Sequence, residues 1–562
     1  MRGALEELGA RRRRAAPIAG GALSTSFVEV LTAALAQLPA TARATAPVIL
    51  AAADYSVETT SGYVDRCTDA ESGGRRLRPS EAMSPEPAQL LQHLAAPGDW
   101  RGPGYVLISP GTAAEQAVRW ARAAVATGLH PAVVVCEVVR DAAAPGFRVA
   151  ALPVTPDGTA PHRRAPADAV VISGTGLVTA FGAGTDAFWR ALLDGRRALG
   201  ELTRFDAARF RSRTVCQAGS FDPGAVEGPV RRAFADRAGA EALRDAGIAE
   251  LPARTLLVAA GVVPHLPRVA GAPRIEEIAL EPDWAGEGFG IPAGAGSAGA
   301  ADAAVVAHAC ASGAFGLAMA REWLLGGLAD VAVVTGVSAL NPYDYACLDV
   351  LRATSTDAAR PFDEHRSGVT VGEGAGAIVL ERATRAAARG HPPRATIAGI
   401  SCRVAGQGIS RLNAHISADC IRTALTMAGR TAVDYVHGHA PGTRQGDEAE
   451  LSALDAIGAE HGWRDVPVSS HKGAAGHLLH ASAFPAVVAA VRALRHGALP
   501  GTPGLRTPLP ARHVRVLHTP EPCPGIRSAL VNNFGFGGNN AALLLTGSTS
   551  APDGRLEWST HG

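Results

Sequence analysis

Lysine is almost absent from this chain. Of its 53 basic residues one is a lysine, Lys472, and the other 52 are arginines. An ammonium is a compact point charge, unlike the planar arginine fork. Its retention at a single position, in SSHKGAAGHLLH (469–480), marks that stretch. A GC-rich coding bias with one chance survivor is the plainer alternative. A charge bias is also missing. The net charge is +1, and no basic stripe interleaved with aromatics appears, which argues against a general nucleic-acid binder. The one cationic run, residues 11–14, reads as a solvated patch. No apolar run reaches 18 residues, so no membrane span is expected. The opening MRGALEELG carries acids and no apolar segment follows the arginines, unlike a secretory signal. CxxC pairs are absent: the eight cysteines, at 67, 136, 216, 310, 347, 402, 420 and 523, are scattered. This is the pattern of a reduced, cytoplasmic chain without a disulfide framework or zinc site.

What is present points to a packed globular protein. Hydrophobic residues make up 47% and charged residues 19% of 562 residues. That length suits three or four average domains, or one large two-lobed domain with an extension. Residues 1–45 read as an arginine-rich lead and an amphipathic helix around SFVEVLTAALAQL. PVILAAADYS (47–56) reads as a buried strand, and 105–139 as strand, helix, strand. The Pro-rich, aperiodic 156–168 reads as a linker. A new apolar strand ending in glycines starts at 169, in AVVISGTGLVTAFGAG. From there strand and helix patterns alternate to about 548, which predicts an α/β fold with sheets covered by helices. Residues 549–562 read as a flexible tail.

A repeat is visible at an offset of 199. AVRWARAAVATGLHPAVVV (117–135) overlies GLAMAREWLLGGLADVAVV (316–334), with identities that include Ala121/Ala320, Arg122/Arg321, Gly128/Gly327 and Val134/Val333. Convergent helix–strand grammar is the alternative. In this register Gly111 stands where the second copy has Cys310, so the first copy lacks a thiol.

Three junctions carry candidate chemistry. In VVAHACASGAFG an apolar strand runs into a small-residue turn and a helix begins at Cys310. Unpaired amides and the helix dipole there favour the thiolate, the reactive form. In DYVHGHAPGTRQGDEAE a strand ends in VHGH. His437 and His439 alternate along it, so only one faces a common site. Asp447 and Glu450 suit the first turn of the following helix, with Asp447 as its N-cap. In SSHKGAAGHLLHASA, His477 follows a glycine loop. Ligands collect at the carboxyl ends of strands in doubly wound sheets, where these loops lie. Metal binding by the Cys/His/His set is the competing reading, with no fourth ligand and no close spacing in view. Finally FGFGGNN (534–540) follows the strand ALVNN, and is either a tight turn with core phenylalanines or an element that donates an amide to an oxyanion and acts as a gate.

These pieces together resemble the β-ketoacyl synthases, condensing enzymes of the thiolase-fold superfamily. The matching stretches are VVISGTGLVTAFGAG, ACASGA, RPFDEHRSGVTVGEGAGAIVLE, HAPGTRQGDEAE, HKGAAGHLLHASA and NNFGFGGNNA, in the family's order over 169–546. The resemblance implies two duplicated halves in an α-β-α-β-α layering, at 169–395 with the nucleophile and at 396–548 with both histidines. It makes Cys310 the acyl-accepting nucleophile, His439 and His477 the histidine pair, and Lys472 the active-site lysine with Glu373 as its nearby support. Phe536, with Phe534 beside it, becomes the gate whose amide joins that of Cys310 in an oxyanion hole. Thr443 becomes a pantetheine contact. No bound cofactor is implied, since substrates ride on the phosphopantetheine of an acyl carrier protein. The partners implied are that carrier and a second synthase-like subunit, in a homodimer or heterodimer.

The expected reaction is decarboxylative condensation of an acyl thioester with malonyl-carrier protein, most similar to KAS II-like ketosynthases of type II polyketide or fatty-acid systems. The alternatives are a decarboxylase or acyltransferase that does not condense, and a non-catalytic chain-length or scaffold subunit. The sequence departs from the family at several places. Pro441 replaces a threonine of the histidine loop, His480 replaces a glycine, and Gly368-Val369-Thr370 replaces Gly-Phe-Val. EPDWAGEGFGIPAGAGSAGAADA, before Cys310, lacks the usual Asn-containing helix pattern. Residues 46–155 resemble a truncated, cysteine-less N-terminal half of such a synthase, packed as a partial partner in cis; a decayed fusion with a stabilising role is the alternative.

Overall fold

The structure is a computed structural model, and it describes residues 2–18, 22–71, 77–109, 111–156, 168–219, 230–261, 302–406 and 412–547. Most of the expected linker (157–167), the expected tail (549–562) and the Gly/Ala-rich stretch up to 301 lie outside the described residues.

One sheet runs through the molecule. From one edge its strands are Val514–Val516, Val466–Ser469, Tyr435–His437, Ser528–Gly535, Asn539–Thr546, Ala395–Val404, Val170–Thr179, Gly374–Arg382, Val331–Ser338, Thr255–Ala260 and Asp302–Val306. It continues through Gly104–Leu107, Val48–Ala51, Val133–Arg140 and Phe147–Val154. Val170–Thr179 and Val331–Ser338 are buried along their whole length. They read as near-continuous apolar runs because helices cover both faces.

Two helices form the middle layer. Ser312–Leu325 and Ala483–His496 are buried almost all round, touch each other, and pack on strands from both the N- and C-terminal parts of the sheet. A helix apolar on every side belongs in such a position. Val230–Asp245 lies outside, so close to Val170–Thr179 that a Cβ on Gly174 or Gly176 would meet helix backbone within 2.1 Å. Ala414–Met427 and Arg444–His461 cover the other outer face. This is the layering expected of the two halves.

Several local expectations shift. The strand read over 47–56 ends at Ala51, and Ala53–Glu71 is helical. Phe147–Val154 and Asn539–Thr546 are strands that the pattern did not reveal. The arginine run at 11–14 ends the helix Arg2–Arg14 and in part docks it: Arg12 pairs with Glu137 at 2.9 Å and Arg11 donates to the Ala151 carbonyl at 3.2 Å. All eight cysteines are free. No helix among the described residues is long and apolar enough to cross a membrane.

Candidate active site

Cys310 lies in the turn between Asp302–Val306 and the helix Ser312–Leu325, and it is buried. The turn is tight because Ala309 adopts φ +46°, a left-handed conformation rare for a residue with a Cβ. The backbone of Gly535 lies against it. A Cβ there would stand 2.8 Å from the His308 carbonyl oxygen and 3.1 Å from the Cys310 nitrogen. Glycine at 535 thus lets the loop carrying Phe536 approach the cysteine amide.

His439 follows the strand Tyr435–His437 rather than lying on it. The loop is clamped from below: Glu450 accepts the His439 N–H at 2.8 Å and the Ala440 N–H at 2.7 Å. Asp447 accepts from Phe362 and Gly442. Both acids are structural, but neither caps the helix. The helix starts at Arg444 and its N-cap is Thr443. Burial raises Glu450, and it pushes Asp447 up to about 7. His437 turns the other way, into a buried chain with Tyr435, Ser469 and His471.

His477 and His439 face one another, with ring centroids 5.3 Å apart at 81°. The Leu479 backbone N–H donates to His477 Nδ1 at 3.1 Å. On His439, Nδ1 receives Lys472 Nζ at 3.3 Å and the Asn533 amide nitrogen at 3.4 Å. Lys472 Nζ also donates to the His439 carbonyl. Burial first, then the Lys472 charge, holds both imidazoles well below their ordinary range. A neutral ring with Nδ1 as acceptor carries its proton on Nε2. Each histidine thus keeps one N–H donor for the cavity it lines.

That cavity is common to all three. Cys310, His439, His477, Thr443, Phe534 and Phe536 line it, and Pro441 and Val369 stand among its walls. A second, largely apolar pocket opens on the other side of Cys310 and Phe536. Phe536 lines both. The arrangement suits acyl transfer: a thiol between an entry cavity with two N–H donors and an apolar pocket for a chain.

Two electrostatic expectations change. Burial pushes the Cys310 thiol up to about 12, with Glu86 adding to it and Lys472 opposing. The helix terminus is outweighed, so the resting form is the thiol. Burial also brings Lys472 down to about 8, against the pull of Glu450, Cys310 and Asp447. Glu373 does not support the lysine. Arg204 holds both its oxygens, at 2.9 and 3.0 Å, and the Ala218 N–H donates to it. The carboxylates whose charge favours the ammonium are Glu450 first and then Asp447. Asn533 was missed in the sequence reading, although paired asparagines in a buried strand were a visible signal.

Family models for the beta-ketoacyl synthase N-terminal domain and C-terminal domain match residues 167–386 and 394–506. The chain belongs to the β-ketoacyl synthase family. The "Putative polyketide beta-ketoacyl synthase 1" of Streptomyces halstedii is 33% identical over 445 residues, 69% of this chain and 99% of that relative. The ishigamide ketosynthase/chain length factor superposes with a TM-score of 0.60 at 25% identity, over 68% of this chain and 100% of that one. A ketosynthase bound to a hexaketide and in complex with its acyl-carrier protein, AntDE:AntF, has the same fold (TM-score 0.59, 22% identity, 68% and 99% covered). The synthase is a condensing acyltransferase with the thiolase-like fold. The two family domains leave its first 166 residues unmatched.

Proposed function

We propose that the synthase catalyses decarboxylative Claisen condensation on carrier-bound thioesters, in polyketide or specialised fatty-acid synthesis. The observation that carries this reading is the single cavity lined by Cys310, His439 and His477, with both imidazoles engaged at Nδ1. The relatives named for polyketide synthesis support the pathway class.

Cys310 sulfur attacks the acyl thioester of a phosphopantetheine arm. The C–S bond to the arm breaks, and the thiol proton leaves with the arm as its new S–H. This covalent step splits one difficult transfer into two. The acyl chain lies in the apolar pocket beyond Phe536. A malonyl thioester then occupies the entry cavity, with its arm along Thr443. Pro441 offers no hydroxyl there, so the arm has one polar contact fewer on this loop. His439 and His477 donate through Nε2 to the malonyl thioester oxygen. As the C–C bond to the carboxylate breaks and CO₂ departs, those donors hold the enolate. The enolate carbon attacks the acyl-Cys310 carbonyl. The amides of Cys310 and Phe536, brought together across Gly535, hold the oxyanion. The C–S bond breaks, and the cysteine sulfur takes up a proton. The product is a β-ketoacyl thioester longer by one C₂ unit.

Lys472 holds the His439 tautomer through Nδ1 and does not attack. The partner this chemistry requires is an acyl carrier protein. The test is to incubate the pure protein with acyl- and malonyl-carrier proteins and to weigh the species. An elongated β-ketoacyl-carrier protein is expected. CO₂ release without elongation identifies a decarboxylase, and no acyl adduct identifies a scaffold; either contradicts the proposal.

A further inference from the structure

The N-terminal region mirrors the catalytic half about one strand pairing. Val306 pairs with Leu107 in antiparallel fashion where the two parts of the sheet meet. These residues are 199 apart, the offset of the sequence repeat. The helices Ala113–Ala126 and Ser312–Leu325 are also 199 apart at both ends. Outward from the contact each side repeats one order. Thr255–Ala260 lies parallel between Asp302–Val306 and Val331–Ser338, and Gly374–Arg382 follows antiparallel. Val48–Ala51 lies parallel between Gly104–Leu107 and Val133–Arg140, and Phe147–Val154 follows antiparallel. A local twofold axis thus relates two copies of one unit. The first copy carries Gly111 at the position of Cys310.

The copy without a thiol nevertheless reaches the nucleophile. Glu86 is buried, at 8% exposure, and both its oxygens are committed. Oε2 accepts the Ala309 N–H at 3.0 Å, and Oε1 lies 3.0 Å from His480 Nε2. Ala309 precedes Cys310 and holds the left-handed φ. Such a strained conformation persists only when its surroundings over-determine it. The partner of His480 comes from a region that the family domains do not cover. Burial lowers the His480 imidazole, and the Glu86 bond and charge outweigh that and raise it. Tyr63, Met83 and Glu86 from the N-terminal region share the apolar pocket with Cys310, His480 and Phe536. Tyr63 is itself fixed by donating to the Tyr343 carbonyl at 2.8 Å.

We propose that residues 46–155 are a built-in, nucleophile-free partner unit whose Glu86, bridging Ala309 and His480, positions the Cys310 turn, and whose Met83 closes the pocket that receives the acyl chain. The proposal rests on the acyl-transfer reading of the site. Glu86 is a positioning residue, since it acts through the backbone of Ala309. The region outside the family domains and the histidine at 480 become one device. The unit is a working wall of the site, beyond a stabilising appendage.

The test uses the full chain and times acylation of Cys310 by mass spectrometry, with short and long straight-chain acyl-pantetheine thioesters. Wild type is assayed first. If it takes no acyl group, the acyl-transfer reading fails, and this inference with it. If it does, Glu86→Ala is expected to slow acylation about 10²-fold through kcat, the scale of a nucleophile displaced by about 1 Å, with KM little changed. Glu86→Gln keeps an oxygen for the Ala309 N–H and an amide for His480, and restores most of the rate. Met83→Ala shifts the preference towards longer chains. Equal rates per folded molecule in Glu86→Ala and wild type, or a chain-length profile unmoved by Met83→Ala, overturn the proposal. If Glu86→Ala does not fold, His480→Gly removes the same bridge from the other side. An unchanged acylation rate in that variant is equally contradictory.

Discussion

Lys472 reaches His439 twice, from one ammonium: Nζ donates to its carbonyl and lies 3.3 Å from its Nδ1. The lysine is 1% exposed, and an arginine fork is broader and planar where the ammonium is a compact point. Lys472→Arg therefore keeps the charge and loses the geometry. Decarboxylation of malonyl-carrier protein by this variant should fall by about 10²–10³, the scale of a lost or misplaced donor to a developing oxyanion. Release of CO₂ measured beside wild type decides it. A rate within a few-fold of wild type would remove the lysine from the site's working parts.

The buried ammonium also sets a pH limit. Its ordinary value of 10.5 falls to about 8, chiefly through burial. It is charged below that value and neutral above it, so its help to His439 is complete below about pH 8 and is lost as pH rises through it. Decarboxylation under saturating malonyl-carrier protein should decline on the alkaline side near pH 8. A flat profile to pH 10 contradicts this account of the lysine.

Cys310 predicts the opposite slope for alkylation. Burial lifts its thiol to about 12, and the thiolate is the species that reacts. Iodoacetamide labelling of Cys310, followed by peptide mass spectrometry, should keep rising from pH 7 to pH 10 without a plateau. A plateau near neutrality would show that the helix terminus and Lys472 outweigh burial.

How far the site was legible follows from which forces are local. A thiol at a strand-to-helix turn, two histidines in glycine loops and a solitary lysine are written in consecutive residues, and the structure draws these loops to one cavity. Distant pairings were not. The GEGAG stretch suggested Glu373 as the partner of Lys472, yet Arg204 takes Glu373, and the carboxylate charges that act on the lysine are those of Glu450 and Asp447. Nothing near residue 204 or 450 states that choice, since it depends on how remote strands align. Asp447 looked like an N-cap because its type and spacing fit one. The helix begins a turn earlier, and the carboxylate bonds Phe362, 85 residues away. The thiolate expectation failed for another reason. A helix end favours the anion by about 1 kcal/mol at exposed sites, and enclosure in an apolar pocket outweighs it. The strands of the N-terminal region were half visible in the repeat, but Glu86 carried no local mark.

Gly535 is the position where space decides chemistry. Alanine there would press on the Cys310 nitrogen and the His308 carbonyl, both backbone atoms that cannot swing aside. Gly535→Ala should separate the two amides proposed to hold the oxyanion and lower condensation by about 10²-fold or more. Its unfolding transition should remain cooperative. Turnover within a few-fold of wild type would exclude an oxyanion hole at this contact.

Glu450 holds the histidine loop by two backbone N–H groups and also receives the Asn532 amide at 3.0 Å. Glu450→Ala leaves those buried donors unpaired, each costing about 1–3 kcal/mol. The expected result is a midpoint several degrees lower in thermal unfolding, with condensation lost in the molecules that remain folded. Glu450→Gln should recover much of the stability. A neutral alanine substitution would contradict the clamp.

The most direct test follows the sulfur itself. The Cys310 peptide is weighed after incubation with an acyl-carrier protein, and again after a chase with malonyl-carrier protein. The account predicts that the acyl mass appears on Cys310, disappears in the chase, and reappears on the carrier longer by one C₂ unit. An acyl group that stays on Cys310 through the chase, or that never forms there, contradicts carbon–carbon bond formation at this cavity.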